Sequence, residues 1–129
     1  MYLQTQGYIL RSRPWREGDR IYTIYTQKAG KLEVQARGVR KPQSKLAGHL
    51  VPFALINFYL AQGKYRYQLI GARALQNFQF SIFNFHMSLG YGYYLLELVD
   101  ELTRVGQRSE GVFALVREGF DELGKIDKR

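Results

Sequence analysis

The amino-acid sequence predicts a small β-barrel of five strands followed by two α-helices. Three observations lead there. Up to residue 70 the chain is broken into short β-branched and aromatic runs, separated by Gly, Pro and polar turn residues. From Phe83 onward, apolar residues recur at intervals of three and four instead of two. The length, 129 residues with 46% apolar, suffices for one domain or for one small domain plus part of another. The expected division is a barrel over 1–78 and a helical segment over 79–129.

Taken in order, Tyr8-Ile-Leu10 is a short apolar run between Gly7 and Arg11-Ser-Arg-Pro14. Ile21 to Thr26 is entirely β-branched or aromatic, which suits a pleated, half-buried surface, with Tyr22 and Tyr25 on opposite faces. Ala29-Gly30 marks a hairpin turn. The next run alternates: Leu32, Val34 and Ala36 point to the core, and Lys31, Glu33, Gln35 and Arg37 point to solvent. Val51 to Leu60 is apolar on both faces, so it reads as a central or covered strand with Pro52 at its start. Gln62-Gly-Lys64 is a turn. In the last run, Tyr65, Tyr67 and Leu69 share a face opposite Arg66 and Gln68.

The first helix is expected to be capped by Ser81, with the stripe Phe83, Met87, Tyr91, Tyr94, Leu95, Leu98, Leu102 and Val105. Gly90 and Gly92 inside it each cost about 1 kcal/mol relative to Ala, which a close packing contact would explain. Gly106 is a natural stop. Ser109 caps a second helix with the stripe Val112, Phe113, Val116, Phe120 and Leu123. Two helices are too little chain to bury these faces by themselves. The helical part reads as incomplete: docked on the barrel, met by another chain, or cut from something longer.

Charge divides the chain. The net charge is +8, and residues 1–70 hold 12 Lys/Arg against the three acids Glu17, Asp19 and Glu33. Between Glu33 and Glu97 there is no acidic residue, while Arg37, Arg40, Lys41, Lys45, Lys64, Arg66 and Arg73 fall in that interval. Cations without nearby carboxylates are available to an external polyanion, and nucleic acid is the first to consider. The strongest candidate is the exposed loop from Arg37 to Lys45, whose cations can neutralise phosphates. Lys64, Arg66 and Arg73 extend it on charge alone. Arg11 and Arg13 add a second basic loop around Trp15, partly neutralised by Glu17 and Asp19. Aromatic residues, 15% of the chain, can stack unpaired bases, though Tyr65 and Tyr67 also fit the core.

Other classes find no support. His49 and His86 are isolated, no acid/base pair or metal-ligand cluster is apparent, and no phosphate-cradling Gly-rich motif exists. The acids Glu97, Asp100, Glu101, Glu118, Asp121 and Glu122 read as solvated helix faces. Neither an enzyme, a cofactor nor a metal is expected. With no Cys, no transmembrane-length apolar run and no signal-peptide pattern at the N-terminus, a cytoplasmic protein without a membrane partner is expected.

Several segments taken together carry a resemblance: Gly7-Tyr-Ile-Leu-Arg11, Arg16-Glu-Gly-Asp-Arg20, Tyr22 to Thr26, Gly30-Lys31, Ala36 to Gly48, Pro52-Phe53, and Leu96-Glu-Leu-Val-Asp-Glu-Leu102. They are similar to the N-terminal part of the bacterial RecO family of DNA repair and recombination mediators, over about residues 5 to 103. The resemblance implies an OB-fold barrel and the start of a helical domain. It implies a non-enzymatic mediator that binds single- and double-stranded DNA, anneals complementary strands, and works with RecR and single-stranded DNA-binding protein to load RecA. On it, Arg37, Arg40, Lys41 and Lys45 match the family's basic barrel surface. Family members are usually nearly twice as long, so the chain is expected to be an N-terminal fragment or a shortened relative. Two alternatives stay open: an adaptor whose basic loop docks an acidic protein surface, and an RNA-binding OB domain.

Overall fold

A computed structural model describes residues 1–76 and 85–127. Strands β1 (Tyr2–Trp15), β2 (Asp19–Thr26), β3 (Gly30–Ala36), β4 (Leu55–Gln62) and β5 (Tyr67–Gln76) close into a barrel in the order β1-β2-β3-β5-β4. All neighbours are antiparallel except β3 and β5, which run parallel through Val34–Tyr67 and Gln35–Gln68. A 3-10 turn, Ala47–His49, precedes β4, and helices α1 (Phe85–Leu102) and α2 (Glu110–Asp127) follow the barrel. The expected boundary at 78/79, the Ser81 cap, Phe83 and the side chains of His86, Met87 and Leu123 lie outside the described residues.

β1 is much longer than the expected Tyr8-Ile-Leu10, because one strand serves two partners. Its first half pairs with β4 and its second with β2. The register shifts between Ile9 and Arg11, an extra residue that bends the strand around the barrel corner. β5 begins at Tyr67, so Tyr65 and Arg66 belong to the β4–β5 turn.

Two apolar clusters result. The barrel interior holds Ile9, Tyr22, Ile24, Leu32, Val34, Ile56, Phe58, Leu60 and Leu69. The second cluster lies between the barrel wall and the helices: Tyr8, Leu10, Tyr25, Phe53 and Leu55 pack against Leu96, Val99, Phe113, Val116 and Phe120. The helices therefore dock on the barrel. Burial pushes the Tyr8 phenol up to about 12. Tyr22 and Tyr25 face opposite sides, and both are buried.

That docking overturns one expectation. The alternation of β3 predicts a wet face for Lys31 and Gln35, yet each is only 7% exposed. The helical layer covers Lys31, whose ammonium reaches Asp100 Oδ1 at 2.5 Å and donates to the carbonyl oxygen of Asp100 at 2.8 Å. Asp100 also accepts from Arg11 Nε at 2.6 Å. It is thus a clasp between α1 and two strands, and not a solvated helix acid. Burial pushes its pKa up, but the hydrogen bonds from Lys31 and Arg11 outweigh that and hold it below the usual carboxylate value.

The α1 stripe is also shifted in phase. Gly92, Leu96 and Val99 face the barrel, whereas Tyr91, Tyr94, Leu102 and, just beyond the helix, Val105 are exposed. Gly92 explains the choice of face. A Cβ there would stand 2.7 Å from the ring of Phe53, itself held at φ 66° against Tyr93 and Phe120. Gly90 has open space around it. β4 differs from expectation as well: only Leu55 of its outer face is covered by the helices, and Tyr59 is exposed.

Two outcomes follow for stability. Asp100→Asn should lower the unfolding free energy by roughly 2–3 kcal/mol at neutral pH, because Lys31 loses its counter-charge. The parent's advantage is present above the unfolded-state pKa and disappears as pH falls below about 4 through the depressed folded value. Urea titrations of both proteins across this range measure it. In the same assay Gly90→Ala should stabilise by up to about 1 kcal/mol. Gly92→Ala should destabilise by about 1 kcal/mol, because overpacking against the confined Phe53 ring exceeds the helix-propensity gain.

Candidate nucleic-acid interface

The segment from Arg37 to Lys45 leaves β3 and is exposed at Arg37, Arg40, Lys41 and Lys45. Its backbone is nevertheless fixed. Val39 is buried in the barrel core, and Leu46 and Leu50 anchor the far side. Successive turns order the middle: Lys41 N–H donates to Gly38 O at 3.1 Å and Ser44 N–H to Lys41 O at 3.0 Å.

The loop is tied to the β1–β2 turn. Arg40 N–H donates to Gly18 O at 2.9 Å, and Gly38 N–H donates to Asp19 Oδ1 at 2.8 Å. Asp19 Oδ2 accepts from Gln35 Nε2 at 3.0 Å, and Gln35 Oε1 accepts from Gln68 Nε2 at 3.2 Å. This relay accounts for the burial of Gln35. The Gly38 amide is the main reason the Asp19 carboxyl titrates below its usual range; burial opposes it, and Gln35, Arg37 and Arg16 add to it. Of the two acids at the β1–β2 turn, Glu17 and Asp19, the latter is thus consumed in shaping the basic loop.

Beside this junction, Trp15 carries two guanidiniums. Arg13 and Arg66 each stand 5.0 Å from its ring centroid, which links the β1–β2 and β4–β5 turns. Buried polar atoms without a protein partner among the described residues are Trp15 Nε1, Arg66 Nε and Gln68 Oε1, all at this junction. Lys64 and Tyr65 continue the turn, with the Lys64 ammonium 5.4 Å from the Tyr65 ring centroid. Tyr65 is 84% exposed and not a core residue, while Tyr67 packs against the barrel core.

The other expected cations fall as follows. Arg73 is exposed on β5, next to Ala74, whose N–H donates to His49 Nδ1 at 3.3 Å. It therefore flanks the far end of the basic loop. Arg11 points to the helical layer and is engaged by Asp100. Among the described residues, the ion pairs are Arg11–Asp100, Lys31–Asp100 and Arg108–Glu110, so none uses Arg13, Arg37, Arg40, Lys41, Lys45, Lys64, Arg66 or Arg73. The sequence reading missed the roles of Asp19 and Trp15. Trp15 was noticeable as the chain's single Trp, but its pairing with Arg66 requires the closed barrel. Also among the described residues, no cluster of His, Asp and Glu is placed to hold a metal, and no helix is long and apolar enough to cross a membrane.

A closed five-stranded barrel of this order is an OB-fold domain. Residues 1–78 match the family model described as "Recombination protein O N terminal". The chain belongs to the RecO family. It is 33% identical over 116 residues to the DNA repair protein RecO of Alkaliphilus metalliredigens, covering 90% of this chain and 47% of that protein. It is 31% identical over 124 residues to that of Moorella thermoacetica, covering 96% and 46%. With that of Pelotomaculum thermopropionicum it shares 33% over 108 residues, covering 84% and 42%. The chain thus spans about half the length of the curated relatives it matches.

If Asp19 fixes the loop, Asp19→Ala should speed hydrogen exchange of the Gly38 and Arg40 amides by roughly tenfold or more, the consequence of losing a charge-assisted bond. Exchange in β4, remote from Asp19, should stay unchanged. Nuclear magnetic resonance of the labelled variant reads both.

Proposed function

We propose that this chain is a DNA-binding domain of a DNA repair and recombination mediator. The observation that carries the reading is the Arg37–Lys45 loop: four exposed cations with no ion pair among the described residues, on a backbone pinned to the barrel. Phosphates are the groups such a surface neutralises, on single and double strands alike. Arg13, Lys64 and Arg66 extend it on one side and Arg73 on the other. A surface that neutralises two backbones at once also lowers their mutual repulsion, which is what annealing of complementary strands requires. The names of the relatives, DNA repair protein RecO, support the process.

RecR and single-stranded DNA-binding protein are proposed as protein partners on the strength of the family resemblance, in RecA loading in the cytoplasm. The proposed role is non-enzymatic: binding and positioning of strands.

The test is the triple variant Arg40→Glu, Lys41→Glu, Lys45→Glu, with fluorescence anisotropy of a labelled single strand at low salt. Parent binding should weaken with salt at a log–log slope of roughly −0.7 per phosphate contact. The variant should bind at least tenfold more weakly and with a shallower slope, since each lost phosphate contact removes its share of counterion release. A variant that binds as tightly as the parent rules the reading out.

A further inference from the structure

The β3 edge is interrupted. Lys31 pairs with Val105, and the ladder to β5 begins only at Val34–Tyr67. Between these pairings a cleft of about 300 Å³ opens, with Glu33 on one wall and Lys64, Tyr65 and Arg66 of the β4–β5 turn on the other. We propose that this cleft takes one unpaired nucleobase of a bound strand, and that Glu33 selects bases presenting an amino edge. The inference rests on the nucleic-acid reading above and adds a subsite to it.

Three features converge. A volume near 300 Å³ lies at the small end of ligand pockets, the scale of a single nucleobase with part of its sugar. Tyr65, 84% exposed and lining the cleft, has the Lys64 ammonium over one face of its ring and offers the other to a base. Duplex bases are already stacked on their neighbours, so this contact is open to single strands.

Glu33 supplies the third. It is half-buried at the cleft wall and, among the described residues, has no ion pair, although Lys64 and Arg66 line the same space. A carboxylate on a phosphate-binding surface is unfavourable unless it meets N–H donors. The exocyclic amino group of cytosine is such a donor, and a carboxylate is its natural acceptor; thymine presents an oxygen acceptor at the same position and is repelled. Lys64 stands where it can meet the phosphate of the same nucleotide, its ammonium 5.4 Å from the Tyr65 ring centroid. Arg66 stacks on Trp15, which holds the turn still.

Fluorescence anisotropy with short oligodeoxycytidylate and oligothymidylate of equal length, at neutral pH and low salt, tests this. The parent should prefer the cytidylate by roughly three- to tenfold. Glu33→Gln, whose amide can both donate and accept, should bring that ratio toward one without weakening thymidylate binding. Tyr65→Leu should weaken both single strands by a similar factor, roughly fivefold or more, and leave duplex binding unchanged. Equal parent affinities for the two strands, or an unchanged ratio in Glu33→Gln, overturns the proposal while the broader reading stands. A parent that binds neither strand overturns both.

Discussion

Asp100 is the contact on which the arrangement of the two layers depends. Its carboxylate receives Lys31 from β3 and Arg11 from β1, the two strands that flank β2. An ammonium as buried as that of Lys31 costs several kcal/mol if left alone, so β3 can run beneath the helices only with α1 in this register. Apolar burial of Leu96, Val99, Phe113, Val116 and Phe120 supplies the larger driving force, but it is non-directional. The ion pairs, together with the Phe53–Gly92 contact, decide which way α1 is rotated. Gly30 adds a further constraint, since a Cβ there would collide with the backbone of Gln107 in the helix–helix connection.

Charge is sorted by the same contact. Asp100 engages cations on the helix-covered side of the barrel, at Arg11 and Lys31. Among the described residues Arg37, Arg40, Lys41 and Lys45 form no ion pair, and of the acids at the β1–β2 turn, Glu17 and Asp19, the latter is occupied by backbone and amide donors. The fold thereby turns a net charge of +8 into a localised one. A sequence-wide excess of Lys and Arg would by itself support only weak, diffuse attraction, whereas a concentrated patch focuses the field.

The barrel was legible because its strands obey a period of two and are separated by turn residues. Errors arose where a second layer changed the meaning of an outward position. Lys31 and Gln35 occupy the alternate face of β3, which a half-exposed strand gives to solvent; whether that face is wet depends on residues about 70 positions away at Asp100 and on a relay through Asp19 and Gln68. In α1, apolar residues cover more than one face, and periodicity cannot rank two apolar faces. The buried one is marked by Gly92, whose significance rests on Phe53. In the site, Arg37 to Lys45 could be read from composition and spacing. The Trp15–Arg66 stack could not, because the two residues meet only through the closure that brings the β1–β2 and β4–β5 turns together.

Placing Asp19 next to a basic loop looks counterproductive for binding a polyanion, and magnitudes decide otherwise. One exposed charge contributes on the order of 0–1 kcal/mol to a screened surface interaction. Ordering a loop residue costs about 1–2 kcal/mol of backbone entropy, and the basic loop runs for nine residues from Arg37 to Lys45. A carboxylate that pins Gly38, and with it the start of that loop, moves part of this ordering from the moment of binding to the moment of folding. The repulsion Asp19 adds is further reduced because its charge is already shared with the Gly38 amide and with Gln35. Preorganisation therefore outweighs the lost unit of charge, and the loop holds the geometry that the barrel has given it before any anion arrives.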